Sequence, residues 1–194
     1  MGSDKSTLDV GGRTLLDRTL SGVPSDTPVV IAGPAVAVER DGVSFALEDP
    51  PGGGPVAGLD AALALVCTPV VVVLATDLPL VGEVPAALVD ALSKQPAADG
   101  VLASDASGRL QQLCAAYRVH ALRAAIEAER SDGSVHGSAM RSVVARLTLG
   151  ALGASAASGI DPTWDVDTPE DLARVTAWVT EASDNSGATT NGEQ

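Results

Sequence analysis

Short valine-rich runs are the feature that most restricts how this chain folds. Their length and β-branching favour buried strands over helices. We expect strands at two such runs, 29–32 and 69–75, and also at the segments 100–103 and 113–117. Two more apolar runs, 36–38 and 43–47, flank Asp41 and Gly42, and Asp-Gly is typical of hairpin turns. The sequence therefore predicts several buried strands and one hairpin.

Helical patterns separate these runs. Within 55–66, the residues Val56, Leu59, Leu63 and Val66 recur at helical spacing. Helices are also predicted at 14–20, 85–92, 119–128, 138–147 and 169–182. Strands that alternate with helices indicate an α/β fold. Aromatic residues make up only 2% of the chain, so Ala, Val and Leu must fill the core, as in a parallel sheet covered by helices. We predict a three-layer α/β sandwich with a mostly parallel sheet over residues 1–182, and a disordered polar tail over 183–194.

The charge of the chain narrows the classes of function. A net charge of −13 argues against nucleic-acid binding, because two polyanions repel each other. It does not argue against a nucleotide substrate, since one lysine, backbone amides and a metal can hold a triphosphate. No apolar run approaches the roughly 20 residues that span a membrane, and no signal peptide is visible. We therefore expect a cytoplasmic protein that binds neither nucleic acid nor membrane.

An acidic residue follows the strand predicted at 69–75. In open α/β sheets, ligands bind outside the carboxyl ends of the strands, and Asp77 lies there with Pro79 fixing the turn. A buried carboxylate is costly unless it meets a cation or hydrogen-bond donors. Magnesium prefers one or two carboxylates together with phosphate oxygens and water. Asp77 is therefore a candidate magnesium ligand, with a helix cap as the alternative.

A glycine- and proline-rich segment, 48–58, precedes the helix predicted at 55–66. Glycines at this position let a backbone approach a ligand closely, and a helix N-terminus favours an anion. Asp49 lies upstream, where it either contacts the base or ribose of a nucleotide or is a solvated turn residue.

A third segment, 164–172, carries two alternating acids. Asp165 and Asp167 are two residues apart on a short extended stretch, so their side chains point the same way. Near Asp77 they would form a metal site. Thr168 is a good helix cap, and the acids at 170 and 171 suit the positive end of the helix that follows.

These segments together resemble the molybdenum cofactor guanylyltransferases. The resemblance rests on Asp4-Lys5 followed by Leu15-Leu16, on Gly54-Pro55-Val56-Ala57-Gly58, on Thr76-Asp77-Leu78-Pro79 and on Asp165 to Leu172, in that order. A smaller match covers 108–118. The resemblance as a whole implies a nucleotidyltransferase fold of Rossmann-like type. In that family a strand and a glycine-rich loop come before the position of Met1, so we expect this domain to lack both.

The resemblance also implies a reaction and a set of residues. GMP from GTP would be joined to the phosphate of molybdopterin, with release of pyrophosphate and with magnesium as cofactor. Transient contact with molybdoenzymes or cofactor-handling proteins is implied as well. The implied roles are as follows: catalysis by Lys5 and Asp77; nucleotide binding by Lys5, Asp49, Gly54, Pro55, Gly58 and Asp77; metal binding by Asp77, Asp165 and Asp167; acceptor binding by Arg109 and Gln111.

Two other functions stay open at this stage. One is a cytidylyltransferase or another nucleotidyltransferase of the same fold, because the family often has asparagines where Asp165 and Asp167 stand and the aspartates match the wider group. The other is a catalytically impaired homologue, because of the missing loop. The segment from Gly54 to Gly58 favours guanine.

Overall fold

A computed structural model describes residues 5–153 and 161–188, the last seven of these as backbone only. A single 3₁₀ turn, Lys5–Thr7, comes first. The strands are β1 (Asp9–Val10), β2 (Arg13–Thr14), β3 (Val29–Ala32), β4 (Val43–Ala46), β5 (Val70–Leu74), β6 (Gly100–Ser104), β7 (Leu110–Arg118) and β8 (Leu149–Gly153). The helices are α1 (Leu15–Ser21), α2 (Gly54–Leu63), α3 (Val84–Ser93), α4 (Val119–Asp132), α5 (Met140–Val144) and α6 (Pro169–Ala188).

The strands form one four-stranded sheet and two smaller pairs. In the large sheet the order is β5-β7-β6-β8. Because β7 is antiparallel to both β5 and β6, and β8 is parallel to β6, the strands β5, β6 and β8 all run the same way. The strands β3 and β4 pair in parallel, and β1 and β2 form a short antiparallel hairpin. The predicted α/β class is confirmed, and the large sheet is mixed.

Helices cover both faces of the large sheet, and the valines of β5 show how. Val71 and Val73 pack into an apolar cluster with residues of α2, α4 and α5. Val70 and Val72, which point the other way, pack against residues of α3. Every second side chain of this strand thus enters a different layer, as the predicted three-layer arrangement requires. A valine-rich strand without charged residues is the sequence signature of this double burial.

The predicted hairpin around Gly42 is wrong. Gly42 does make a turn with a φ of +72°, which favours glycine. However, residues 36–38 form no strand, and β4 pairs in parallel with β3 instead, with Ile31 opposite Phe45. Val36 and Val38 pack beside α1 in the same apolar cluster as Ile31. Their hydrophobic side chains are therefore used in packing, and the ladder forms with β3.

The end of the chain also differs from the prediction. The helix α6 reaches Ala188, so residues 183–188 are helical where the sequence predicted a disordered tail. Extending an existing helix adds one hydrogen bond for each residue that is fixed, which lets it continue past its last apolar position. Residues 189–194 lie outside the described residues. Within the described chain, no helix combines the length and the apolar character needed to cross a bilayer.

One edge of β5 lacks a strand partner in the part of the chain that the structure describes. The Ala75 amide donates to the Leu113 carbonyl, and the Pro69 carbonyl accepts from the Val119 amide. Hydrogen-bonded pairs alternate along an antiparallel ladder, so the amides of Val71 and Val73 also face β7. The amides at 70, 72 and 74 therefore point to the open edge. All five side chains of β5 are only half-buried.

We expect hydrogen exchange to show this asymmetry. The amides of Val70, Val72 and Leu74 should exchange much faster than those of Val71, Val73 and Ala75, because they lack a ladder partner. The alternating neighbours on the same strand are the internal control, and the measurement is residue-resolved exchange by NMR. Equal protection at all six positions would show that another strand covers this edge.

Candidate active site

The segment 161–167, which begins with a turn at Asp161, forms one wall of the candidate site. Val166 is fully buried among Val10, Leu15 and residues of α6, while Asp165 and Asp167 on either side of it are exposed. The Val166 amide donates to the carbonyl oxygen of Asp77 at 3.2 Å. The predicted alternation is confirmed, because burying Val166 turns both neighbouring carboxylates outward on the same side.

Lys5 meets this segment through an ion pair. Its Nζ lies 2.6 Å from Asp167 Oδ1 and donates a hydrogen bond to it. This hydrogen bond, together with the negative charges of Asp167, Asp77 and Asp165, raises the pKa of Lys5 although partial burial acts against the charge. The ammonium group is therefore charged at neutral pH and faces the carboxylates predicted to share its site.

Asp77 stands in the loop directly after β5, with its side chain half-buried. Burial raises the pKa of this carboxyl group, and repulsion from Asp165 and Asp167 raises it further, while Lys5 has the opposite effect. Asp77 therefore occupies a place where its negative charge is not fully compensated by the protein. The structure brings together four residues from distant parts of the chain: Lys5, Asp77, Asp165 and Asp167.

These carboxylates fit a cation shared with a nucleotide. Among the described residues, no group of three or more histidine, cysteine or acidic side chains is arranged closely enough to hold a metal alone. Magnesium, however, is usually bound through one or two carboxylates together with substrate phosphates and water. A half-buried aspartate with a raised pKa beside two further carboxylates provides such a partial set of ligands.

The glycine-rich loop before α2 is held by a residue that the sequence analysis missed. Glu48 Oε1 accepts hydrogen bonds from the amides of Gly52 at 3.0 Å and Gly53 at 3.1 Å. Backbone hydrogen bonds, including these two, lower the pKa of Glu48. The amides expected to receive an anion are thus bound by a carboxylate of the chain itself. An acid just upstream of a helix start is the sequence signal that could have identified it. Asp49 beside it is exposed.

The remaining residues of this loop have different surroundings. Gly54 has a φ of +82°, in the region that favours glycine, and Pro55 follows it in the first turn of α2. Both are exposed. Gly58 is buried, and a Cβ added there would lie 3.4 Å from Ala32 Cβ. Gly58 therefore allows α2 to pack closely on β3.

The predicted acceptor residues flank a tight turn between β6 and β7. Asp105, at the end of β6, accepts a hydrogen bond from Gln111 Nε2 at 3.0 Å. Arg109 is exposed, and its side chain has no hydrogen-bond or ion-pair partner within the described residues. Since β6 runs parallel to β5, this turn lies at the same edge of the sheet as Asp77.

Comparison with known proteins gives the chain a family. The family model for the MobA-like NTP transferase domain matches residues 1–149. The chain belongs to this family. No curated protein matches it significantly.

Several solved structures share the fold of this chain at low sequence identity. Molybdopterin-guanine dinucleotide biosynthesis protein A from Archaeoglobus fulgidus has a TM-score of 0.71 and 21% identity, over 93% of this chain and 92% of that one. The 2-C-methyl-D-erythritol 4-phosphate cytidylyltransferase from Thermus thermophilus has a TM-score of 0.69 and 22% identity, over 91% and 94%. The Francisella tularensis enzyme of the same name has a TM-score of 0.68 and 15% identity, over 91% of this chain and 93% of that one. The nucleotidyltransferase-like fold is thereby confirmed.

The charge of Asp77 should destabilise the free protein. Because its pKa is raised on folding, the folded state holds the proton more tightly, and stability decreases as the pH rises from the unfolded pKa through the folded one. We expect Asp77→Asn to melt at a higher temperature than the parent at pH 7, measured by calorimetry with a chelator present. The difference should vanish below about pH 3.9.

Asp26→Asn is the matched control, because it removes the same charge from an exposed loop. It should leave the melting temperature unchanged within error. An Asp77→Asn protein that melts at or below the parent temperature at pH 7 would contradict the assigned cost of this charge.

Proposed function

We propose that the protein transfers GMP from GTP to molybdopterin and releases pyrophosphate, with magnesium as its cofactor. Membership of the MobA-like NTP transferase family supports a nucleotidyltransferase. The observation that carries the proposal is the approach of Lys5, Asp77, Asp165 and Asp167 at the carboxyl edge of β5. One cation and several carboxylates at a strand edge suit a substrate that brings phosphates and a divalent metal.

The proposed reaction needs no covalent intermediate. An oxygen of the acceptor phosphate attacks the α-phosphorus of GTP, the bond from that phosphorus to the bridging oxygen breaks, and pyrophosphate leaves. The protein contributes position and charge. Lys5 lies where its ammonium group would neutralise the triphosphate, and its pKa keeps it charged. Because Lys5 already pairs with Asp167, nucleotide binding would divide its hydrogen bonds between the carboxylate and the phosphate.

Asp77, with Asp165 or Asp167, would hold the magnesium ion. The ion supplies charge neutralisation at the phosphates when it is bound. In the protein alone, Lys5 opposes the repulsion between these carboxylates, and the pKa of Asp77 is still raised. A divalent cation would relieve this repulsion. The free energy released would strengthen binding of the metal–nucleotide complex.

The other proposed contacts come from two loops, one for the nucleotide and one for the acceptor. On the nucleotide side, Gly54 and Pro55 in the first turn of α2, and Asp49 in the loop upstream of it, would contact the nucleotide. On the acceptor side, the exposed guanidinium of Arg109 would bind the acceptor phosphate, and its planar fork suits bidentate binding. Gln111 would act through Asp105, to which it is hydrogen-bonded.

Transfer of CMP is the second candidate. The solved cytidylyltransferases resemble this chain as much as the guanine-dinucleotide protein does, and likeness at such identity shows the fold alone. Asp165 and Asp167 also stand where the guanylyltransferases often have asparagine. The segment from Gly54 to Gly58 is the feature that favours GTP.

Substitution of Asp77 tests the proposed mechanism. Asp77→Asn should lower nucleotidyl transfer by more than about a hundredfold, equivalent to about 2.7 kcal/mol of transition-state stabilisation, because a metal ligand is lost. The measurement is pyrophosphate release with GTP, magnesium and molybdopterin. Asp26→Asn should keep full activity. An Asp77→Asn protein within about tenfold of the parent would contradict the assignment.

The choice of nucleotide separates the two candidate functions. We expect kcat/KM for GTP to exceed that for CTP by about tenfold or more with molybdopterin as acceptor, because a site that hydrogen-bonds one base leaves polar groups unpaired with the other. Parallel assays with each nucleotide at several concentrations measure the ratio. Equal or faster turnover of CTP would assign the protein to the cytidylyl branch.

A further inference from the structure

The turn between β6 and β7 depends on one residue from outside it. Four of its amides are bound within the turn. Ser107 and Arg109 donate to Asp105 Oδ1, Gly108 donates to the Asp105 carbonyl oxygen, and the Asp105 amide donates to the Arg109 carbonyl oxygen. The fifth amide, that of Ala106, donates to Asp161 Oδ2 at 2.7 Å. Asp161 is 55 residues away in sequence, and it completes the backbone hydrogen bonding of the turn.

Asp161 is itself fixed at the start of the segment that carries Asp165 and Asp167. Its Oδ1 accepts hydrogen bonds from the amide of Thr163 at 2.8 Å and from the Thr163 hydroxyl at 2.6 Å. Its carbonyl oxygen accepts from the Trp164 amide. Both carboxylate oxygens are thus occupied, one by the turn and one by the segment, so the side chain joins two parts of the backbone rigidly.

The far end of the same segment is tied to the metal side of the site. Val166 donates to the carbonyl oxygen of Asp77, and Asp167 pairs with Lys5. A short stretch of chain thus contacts the turn with Arg109 at one end and the Lys5–Asp77 cluster at the other. A shift of either end moves the acceptor-binding groups relative to the groups that hold the nucleotide.

We propose that Asp161 is a positioning residue that holds the turn 105–109, and with it Arg109, in register with Asp77, Asp165 and Asp167. This inference rests on the proposed function for its kinetic consequence, since Arg109 is there assigned to the acceptor phosphate. Asp161 itself touches neither substrate. Its effect is on where the acceptor phosphate lies relative to the α-phosphorus, which determines whether in-line attack is reached.

Three variants test the proposal. Asp161→Ala removes both hydrogen-bonding oxygens, and Asp161→Asn keeps an acceptor and the shape of the side chain. Asp99→Ala is the matched control: Asp99 Oδ2 accepts from the Thr148 amide at 2.9 Å, at the opposite end of β6. It deletes a comparable carboxylate–amide bond far from the turn. Each variant is assayed for the KM of molybdopterin, for the KM of GTP and for hydrogen exchange at Ala106.

Asp161→Ala should raise the KM for molybdopterin about tenfold, the effect of losing one charge-assisted hydrogen bond, and leave the KM for GTP unchanged. Asp161→Asn should recover most of this loss, and Asp99→Ala should change neither constant. Exchange of the Ala106 amide should accelerate in Asp161→Ala alone. An equal rise in both KM values, no rise in either, or unchanged exchange at Ala106 would overturn the proposal. Hydrogen exchange does not require enzymatic activity. If the protein transferred no nucleotide, the proposed function would be refuted, and exchange at Ala106 would still decide whether Asp161 holds the turn.

Discussion

The hydrogen bond from the Val166 amide to the Asp77 carbonyl oxygen is the contact on which the site depends. It joins the loop after β5 to the segment before α6, two regions that are distant in sequence. Burial of Val166 fixes the rotation of this segment and turns Asp165 and Asp167 toward solvent. Trp164, beside it, packs into the same apolar cluster and carries the Arg174 guanidinium 4.3 Å from its ring centroid. Apolar packing therefore determines where the charges lie.

The electrostatics of the cluster favour binding over stability. Burial and like charges raise the pKa of Asp77, and Lys5 is the cation among these groups that opposes them. Such an arrangement costs free energy in the protein alone, and a bound cation would lower that cost. The reciprocal bonds between Thr168 and Asp171 stand in contrast. Asp171 accepts from the Thr168 amide and hydroxyl, and the Asp171 amide donates to Thr168 Oγ1. These groups cap α6, as the sequence predicted, and stabilise the fold.

Features determined by residues close together in the sequence could be predicted, and features determined by distant contacts could not. The strand β5 and the orientation of Asp165 and Asp167 could be predicted, because local periodicity determines them. The role of Asp161 could not, because its partner, the Ala106 amide, is 55 residues away and only the fold brings it near. The partners of Glu48 are the nearby amides of Gly52 and Gly53, so this role had a local signal that the sequence analysis did not use. The Asp-Pro-Thr sequence at Asp161 does suggest a local side-chain turn, and Thr163 forms it.

The errors in the predicted elements have the same origin. A local Asp-Gly signal predicted a hairpin, but the parallel pairing of β4 with β3 forms instead. The strand β8 contains Gly150 and Gly153, which interrupt any strand pattern, and it is held by parallel pairing with β6 along its whole length. Long-range pairing outweighed the local preference in both places.

In the proposed nucleotide complex, Lys5, Asp77, Asp165 and Asp167 surround the metal and the phosphates. Paramagnetic Mn²⁺ locates such a site directly, because it broadens the NMR signals of nearby nuclei. With Mn²⁺ and GTP added to the isotope-labelled protein, the account predicts selective loss of the amide signals of Asp77 and Val166. Signals from Asp60 and Glu127, at the surface between α2 and α4, should persist. Broadening at Asp60 and Glu127 with sharp signals at Asp77 and Val166 would contradict the account.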